Sequence, residues 1–265
     1  MNQDYLQRFG GIGRLYGQNA LAYFCQAHVC VVGIGGVGTW VAEALARSGI
    51  GQITLIDLDD ICITNTNRQS HALKQTIGQS KVAVMAQRLR DINPEIQVNE
   101  VEDFVDSDNL FELIDDNLDY LVDCIDSVKA KAALIAHCKR RKIKVVTVGG
   151  AGGQLDPSRV QVADLAKTYQ DPLAAKVRSL LRREYHFTSN PKRRFQVECV
   201  FSDEQLKYPG SDGEVCLAKA GAEGPKAMDC ASGFGAFTGV TGTFGFVAVS
   251  RVLLKLSEKA KRDAS

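Results

Sequence analysis

Short apolar runs of strand length recur along the first half of the chain, at residues 29–32, 53–56, 120–125 and 145–148. Between them the apolar positions switch to helical spacing, over 37–47, 81–91 and 129–141. Unbroken apolar runs mark strands buried on both faces, and strands that take turns with helices predict a parallel sheet covered on both sides. In "INPEIQVNEV" the proline ends a helix and a middle strand follows. The expected fold is α/β: a doubly wound, mainly parallel (mixed) Rossmann-like sheet with an irregular C-terminal extension and a final helix.

The rhythm changes after "GGAGG" at Gly149–Gly153. One more strand is expected in "DPSRVQVADLAKT", then a basic amphipathic helix over 172–185. Residues 186–230 read as irregular, and a stretch that long in a compact domain predicts a functional loop or lid. The organisation expected is an N-terminal helical arm (1–27), a nucleotide-binding domain (28–155) and a C-terminal substrate and dimer region (156–265). That last region holds a flexible loop at about 186–230 and is continuous with the core. Residues 231–250 carry no charge and are long enough to span a bilayer. A glycine-rich helix buried in the core or a dimer seam explains them better, leaving a membrane-associated segment as the minor alternative to a cytoplasmic protein.

Composition adds little constraint, with 24% charged and 45% apolar residues and a net charge of +1. The basic residues are nonetheless clumped, at Lys139–Lys142 with Lys144, at Arg182–Arg183 and at Lys192–Arg194. Such clumps suit either a solvated face or contacts to a phosphate backbone. No cysteine pair has the two-residue gap of a zinc knuckle, and Cys30 and Cys124 sit within apolar runs as small buried hydrophobes.

The chemistry begins at "VVGIGGVGTW". Gly33, Gly35 and Gly36 permit a tight turn whose backbone N–H groups approach phosphate, and Gly38 lets the next helix pack against the strand. Asp57, closing the second strand, is placed to accept hydrogen bonds from ribose, with Asp59 beside it as a further nucleotide contact. Glycines alone suggest a dinucleotide oxidoreductase. The next segment does not, because Asn65, Asn67, Arg68 and Gln69, followed by the helix-opening Lys81, gather amides and cations that suit a triphosphate. Asp126, just past the strand at 120–125, is positioned to hold Mg²⁺ beside those phosphates.

"GIGGVG", the acid-ended second strand, "TNTNRQ", the lysine and "DCIDS" together resemble the ubiquitin-activating-enzyme-like adenylyltransferases over roughly residues 8–150. The resemblance implies that Asp57 binds ribose, that Asn65, Arg68 and Lys81 bind the triphosphate of ATP, and that Asp126 handles Mg²⁺. It also implies a homodimer in which an N-terminal arginine, Arg8 or Arg14, reaches the partner's nucleotide. "RFGGIGRLYG", "GGAGGQLDP", "DLAKTYQDPLAAKVR" and "EGPKAMDCASGFGA" extend the likeness to the subfamily of tRNA threonylcarbamoyladenosine dehydratases. The expected substrate is then the threonyl carboxylate of a modified adenosine next to the tRNA anticodon, adenylated and cyclised with loss of water. Some relatives use a cysteine covalently; here Cys230 is the first candidate and Cys216 the second, although ring closure needs neither. A tRNA substrate also gives the basic clumps a polyanion to meet. The alternatives are activation of the C-terminus of a ubiquitin-like sulfur-carrier protein and a non-catalytic scaffold. A cysteine-desulfurase system or sulfur-acceptor protein as partner, and a monovalent cation near the glycine turns, stay open.

Overall fold

A computed structural model describes residues 1–210, 214–217 and 234–263 of the chain. Helices α1 (Gln3–Tyr16) and α2 (Gln18–Gln26) precede β1 (His28–Val32), α3 (Gly38–Arg47), β2 (Gln52–Ile56), α4 (Lys81–Ile92) and β3 (Gln97–Val101). The one-turn α5 (Leu110–Leu113), β4 (Tyr120–Asp123), α6 (Val128–Arg141) and β5 (Val145–Val148) follow. Then come β6 (Val160–Asp164), α7 (Pro172–Glu184), β7 (Glu198–Ser202), the short pair β8 (Tyr208–Pro209) and β9 (Val215–Cys216), and α8 (Thr238–Asp263).

The main sheet has the order β3-β2-β1-β4-β5-β7-β6, parallel throughout except for the antiparallel β6–β7 edge. Alternation along each strand feeds two cores. Val29 and Val31 of β1 face α3, α4 and α8, packing with Val41, Leu45, Met85 and Phe244. Cys30 and Val32 face the other way, toward Leu134 and Ile135 of α6 and Val177 and Leu181 of α7. This is the mixed α/β sheet expected.

Two expectations need correction. The run at 120–125 is a strand only to Asp123, whose carboxylate accepts a hydrogen bond from the Ile125 amide and turns the chain out of the sheet. Residues 186–230 are not one irregular loop. β7 lies among them and inserts between β5 and β6, with Cys199, Val200 and Phe201 buried. Its signal is hard to read because the run is short and is broken by Glu198, whose charge is met by Arg251 of α8 at 2.7 Å.

Residues 231–233 of the uncharged segment lie outside the described residues, 234–237 are coil, and the rest forms the start of α8. Among the described residues α8 is the one helix long and apolar enough to cross a membrane. Val240, Phe244, Ala248, Val252 and Leu256 form a stripe at four-residue spacing, buried against the sheet, α2 and α3. Gly245 permits the close approach: a Cβ there would stand 2.9 Å from Trp40 Cβ and 3.1 Å from the Val37 carbonyl oxygen. The glycines therefore serve helix packing.

Candidate active site

β1 leads to β2 on one side while β4 lies on the other, so the connections diverge at the carboxyl ends of β1 and β4. Ligands of doubly wound sheets bind at such a divergence. A cleft of about 700 Å³ opens there, within the range of small-molecule sites.

Its floor is the glycine turn. Gly33 has φ +88°, and a Cβ on it would stand 3.0 Å from the Cys124 carbonyl group, so the β1 turn lies directly on the β4 turn. Gly38 underlies the wall, because a Cβ there would fall 1.8 Å from the Gly33 carbonyl oxygen. Gly35 and Gly36 line the cleft itself. Just past β2, Asp57 holds this turn in place, accepting from the Ile34 amide at 2.6 Å and from the Asp59 amide at 2.9 Å. Burial pushes its carboxyl above the usual range, while Lys81 and those two amides pull it back.

One wall is cationic. Lys81 opens α4 behind its N-cap Ser80, and its ammonium stands 2.7 Å from Asp59 and 4.0 Å from Asp57. The Arg68 guanidinium donates to the Thr64 carbonyl and the Asn67 amide oxygen, both at 2.9 Å, while Trp40 holds the Arg68 carbonyl at 3.0 Å. Gln69 also lines the cleft. Asn65 does not. Its side chain is committed to accepting from the Cys62 amide at 2.9 Å, which shapes the turn that presents Arg68. That hydrogen bond uses the side-chain oxygen and shapes the turn, because a short 3-10 turn needs its first amide satisfied.

The opposite wall carries Asp126, exposed into the cleft and without a hydrogen bond or ion pair from any described side chain. Behind it lies a sealed network. Asp123 accepts from Lys131 at 2.8 Å and from Thr147 at 2.6 Å, while its other oxygen takes the Ile125 amide at 3.1 Å. The turn bearing Asp126 is thus tied to β4, β5 and α6 at once.

Several residues of the site were not expected from sequence. Lys129 adds a cation beside Asp126, and Phe104, 58% exposed, offers an aromatic face at the rim. Both had only weak signals, a lysine in the helix start "DSVKAK" and an aromatic between acids in "EDFVDSD". Phe234, Gly235 and Ala236 cross the mouth from a distant part of the chain, held where Asn67 donates to the Ala236 carbonyl and the Gly153 amide donates to Gly235. No local pattern could reveal that pairing. Arg8 and Arg14 are exposed on α1 and do not line this chain's cleft. Cys230 lies outside the described residues, and Cys216, in β9, is half-buried.

The donors fit a nucleoside triphosphate: a turn open to phosphate, two cations on one wall, a third across it, and one unpaired carboxylate for a divalent metal. Comparison with known proteins agrees. Residues 12–263 match the ThiF family model. The chain is 62% identical to the tRNA threonylcarbamoyladenosine dehydratase of Escherichia coli (strain K12), across 99% of this chain and 98% of that one. Crystal structures of an E. coli tRNA N6-threonylcarbamoyladenosine dehydratase superpose with TM-scores of 0.88 in complex with ATP and 0.86 in complex with AMP. Their identities are 54% and 53%, and 98% of each chain is covered.

Proposed function

The chain belongs to the ThiF family, and from that premise we propose that it is an ATP-dependent tRNA-modifying enzyme. It dehydrates N6-threonylcarbamoyladenosine next to the tRNA anticodon to the cyclic oxazolone form by adenylating the threonyl carboxylate. One observation carries this reading: Arg68 and Lys81 face the partnerless Asp126 across a glycine-floored cleft.

A carboxylate resists attack because it is charged. Transfer of AMP from ATP neutralises it and supplies a leaving group, with pyrophosphate released. Arg68 and Lys81 oppose the negative charge that grows on the departing oxygens, and they are already oriented by Thr64, Asn67 and Asp59 before substrate arrives. Asp126 is the residue that would hold Mg²⁺, which when bound screens charge between phosphates. Asp57 keeps acceptor capacity for ribose after holding the turn, and Phe104 supplies a face for the base. Ring closure is intramolecular, so the substrate carries its own nucleophile and the protein needs only to position it. AMP leaves as the ring forms, and the net change in the nucleoside is the loss of one water.

The test is to incubate the protein with ATP, Mg²⁺ and modified tRNA, weigh the nucleoside and follow AMP and pyrophosphate. A nucleoside lighter by one water is the expected result. ATP consumption that requires a sulfur-carrier protein instead would overturn it.

The working form is a homodimer in which Arg8 or Arg14 completes the partner's site; both arginines are exposed and stand outside their own cleft. Mixing Lys81→Met protomers with Arg8→Ala or Arg14→Ala protomers should restore activity in mixed dimers for whichever arginine acts. No recovery with either would sink the shared site.

A further inference from the structure

A second concavity lies at the opposite, amino end of the parallel strands. It measures about 1040 Å³ and runs between the C-terminal end of α6 and the C-terminal half of α8, beneath the first residues of β4, β5 and β7. Nine basic side chains line it against four acidic ones, an excess of five.

The acids are already engaged. Glu198 pairs with Arg251 at 2.7 Å, Glu258 with Lys255 at 3.0 Å and Asp119 with Lys259 at 2.9 Å. Asp164 accepts from the backbone amides of Ala166, Phe195 and Gln196. Of the six other cations, Lys139 donates to Gln196 and Lys167 to the Pro191 carbonyl, Lys142, Lys144, Arg194 and Arg262 are exposed, and none has an ion pair among the described residues.

Helix C-termini attract cations, and both α6 and α8 end here. Each contributes roughly half a negative charge, so the two ends together offset about one of the five. Most of the excess therefore has no intramolecular counterpart. Of the clumps in the sequence, the first contributes most, through Lys139, Lys142 and Lys144. Arg141 pairs with Asp116, Arg183 with Glu184, and Arg182 lies over the Phe195 ring. Of Lys192–Arg194 only Arg194 reaches the concavity. Folding joins that clump to Lys167, Arg194 and the cations of α8, four separate stretches of chain.

We propose that this concavity docks the phosphate backbone of the tRNA, outside the loop that reacts. The proposal rests on the tRNA-modifying reading above. A small anion would call for donors converging on one point, whereas these cations are spread over an open surface, as a polyanion requires. The strands are four or five residues long, so the two ends of the sheet stand roughly 15 Å apart. An RNA with its anticodon loop at the carboxyl edge can place another part of its backbone at the amino edge. Phosphate contacts of this kind position a substrate without reading its sequence.

The experiment is Lys144→Gln with Arg262→Gln, titrated with tRNA across salt concentrations. Arg47→Gln with Arg90→Gln, in α3 and α4, removes the same charge elsewhere. The slope of log affinity against log salt should become shallower by about two in the concavity variant, with roughly tenfold weaker binding at physiological salt. ATP affinity should not change, which separates docking from the active site. An unchanged slope, or an equal loss in the Arg47/Arg90 variant, overturns the proposal while wild-type dehydration of tRNA leaves the functional reading standing. A wild-type protein that does not dehydrate tRNA overturns both.

Discussion

Two lysine–aspartate pairs stand at the carboxyl ends of β2 and β4, on either side of β1, and they differ in one respect. Lys131 and Asp123 are sealed, with side chains 2% and 0% exposed, and Asp123 is further saturated by Thr147 and a backbone amide. Lys81 is equally covered at 6%, but the carboxylate it pairs with at 2.7 Å, Asp59, is 51% exposed and open to the cleft. The first pair cannot exchange partners without unfolding its surroundings. The second can give up a solvated carboxylate when a phosphate arrives. The residue types match, and the exposure of the partner separates a strut from a ligand.

Lys131→Met should have the largest effect. It leaves Asp123 charged and unpaired in the core and should cost about 3–5 kcal/mol in urea unfolding. Combining it with Asp123→Leu should recover most of that loss. Unchanged stability in the single variant would end the idea that this pair is a strut. Lys81→Met should invert the pattern, lowering turnover about 10²–10³-fold while unfolding shifts by less than about 1 kcal/mol, since its partner is solvated. A stability loss as large as that of Lys131→Met would erase the contrast.

His71 sharpens the comparison through pH. It is buried, and its Nε2 lies 3.1 Å from the Ile34 carbonyl oxygen on the cleft's own turn. Burial lowers its imidazole from 6.5 to about 4, and the charges of Lys81 and Arg88 push the same way while the Ile34 carbonyl opposes. The folded protein therefore keeps His71 neutral where the unfolded chain protonates it. This contribution is fully present above pH 6.5 and is lost as pH falls toward 4, up to about 3 kcal/mol. His71→Gln should flatten that part of the stability profile; an equally steep fall would exclude His71 as its source. The smallest effect belongs to Phe104→Ala, on the open rim, which should raise KM for ATP a few-fold, or about 1 kcal/mol, and leave kcat nearly unchanged. A fall in kcat with constant KM would show that Phe104 does more than hold the base.

Much of this was legible in the chain. Continuous apolar strands and helical spacing in the first half predict the sheet, because each run's periodicity is a local property. The glycine turn, Asp57, Arg68, Gln69, Lys81 and Asp126 line one cleft, as their common position at strand ends suggests. Asn65 belongs to the same segment yet turns to its own backbone, a choice made by one hydrogen bond that spacing does not report. β7 carries little period because it is five residues long and opens on Glu198, and Arg251, which meets that charge, lies far along the chain.

The sequence by itself determined the class of fold, the nucleotide edge and the chemistry of its donors, since each is written within a few consecutive residues. Tertiary structure alone decided which lysine became a strut and which a ligand, which segment crosses the mouth, and which cations share a surface. Those outcomes depend on burial and on contacts between residues distant in the chain, and neither quantity exists until the chain has folded.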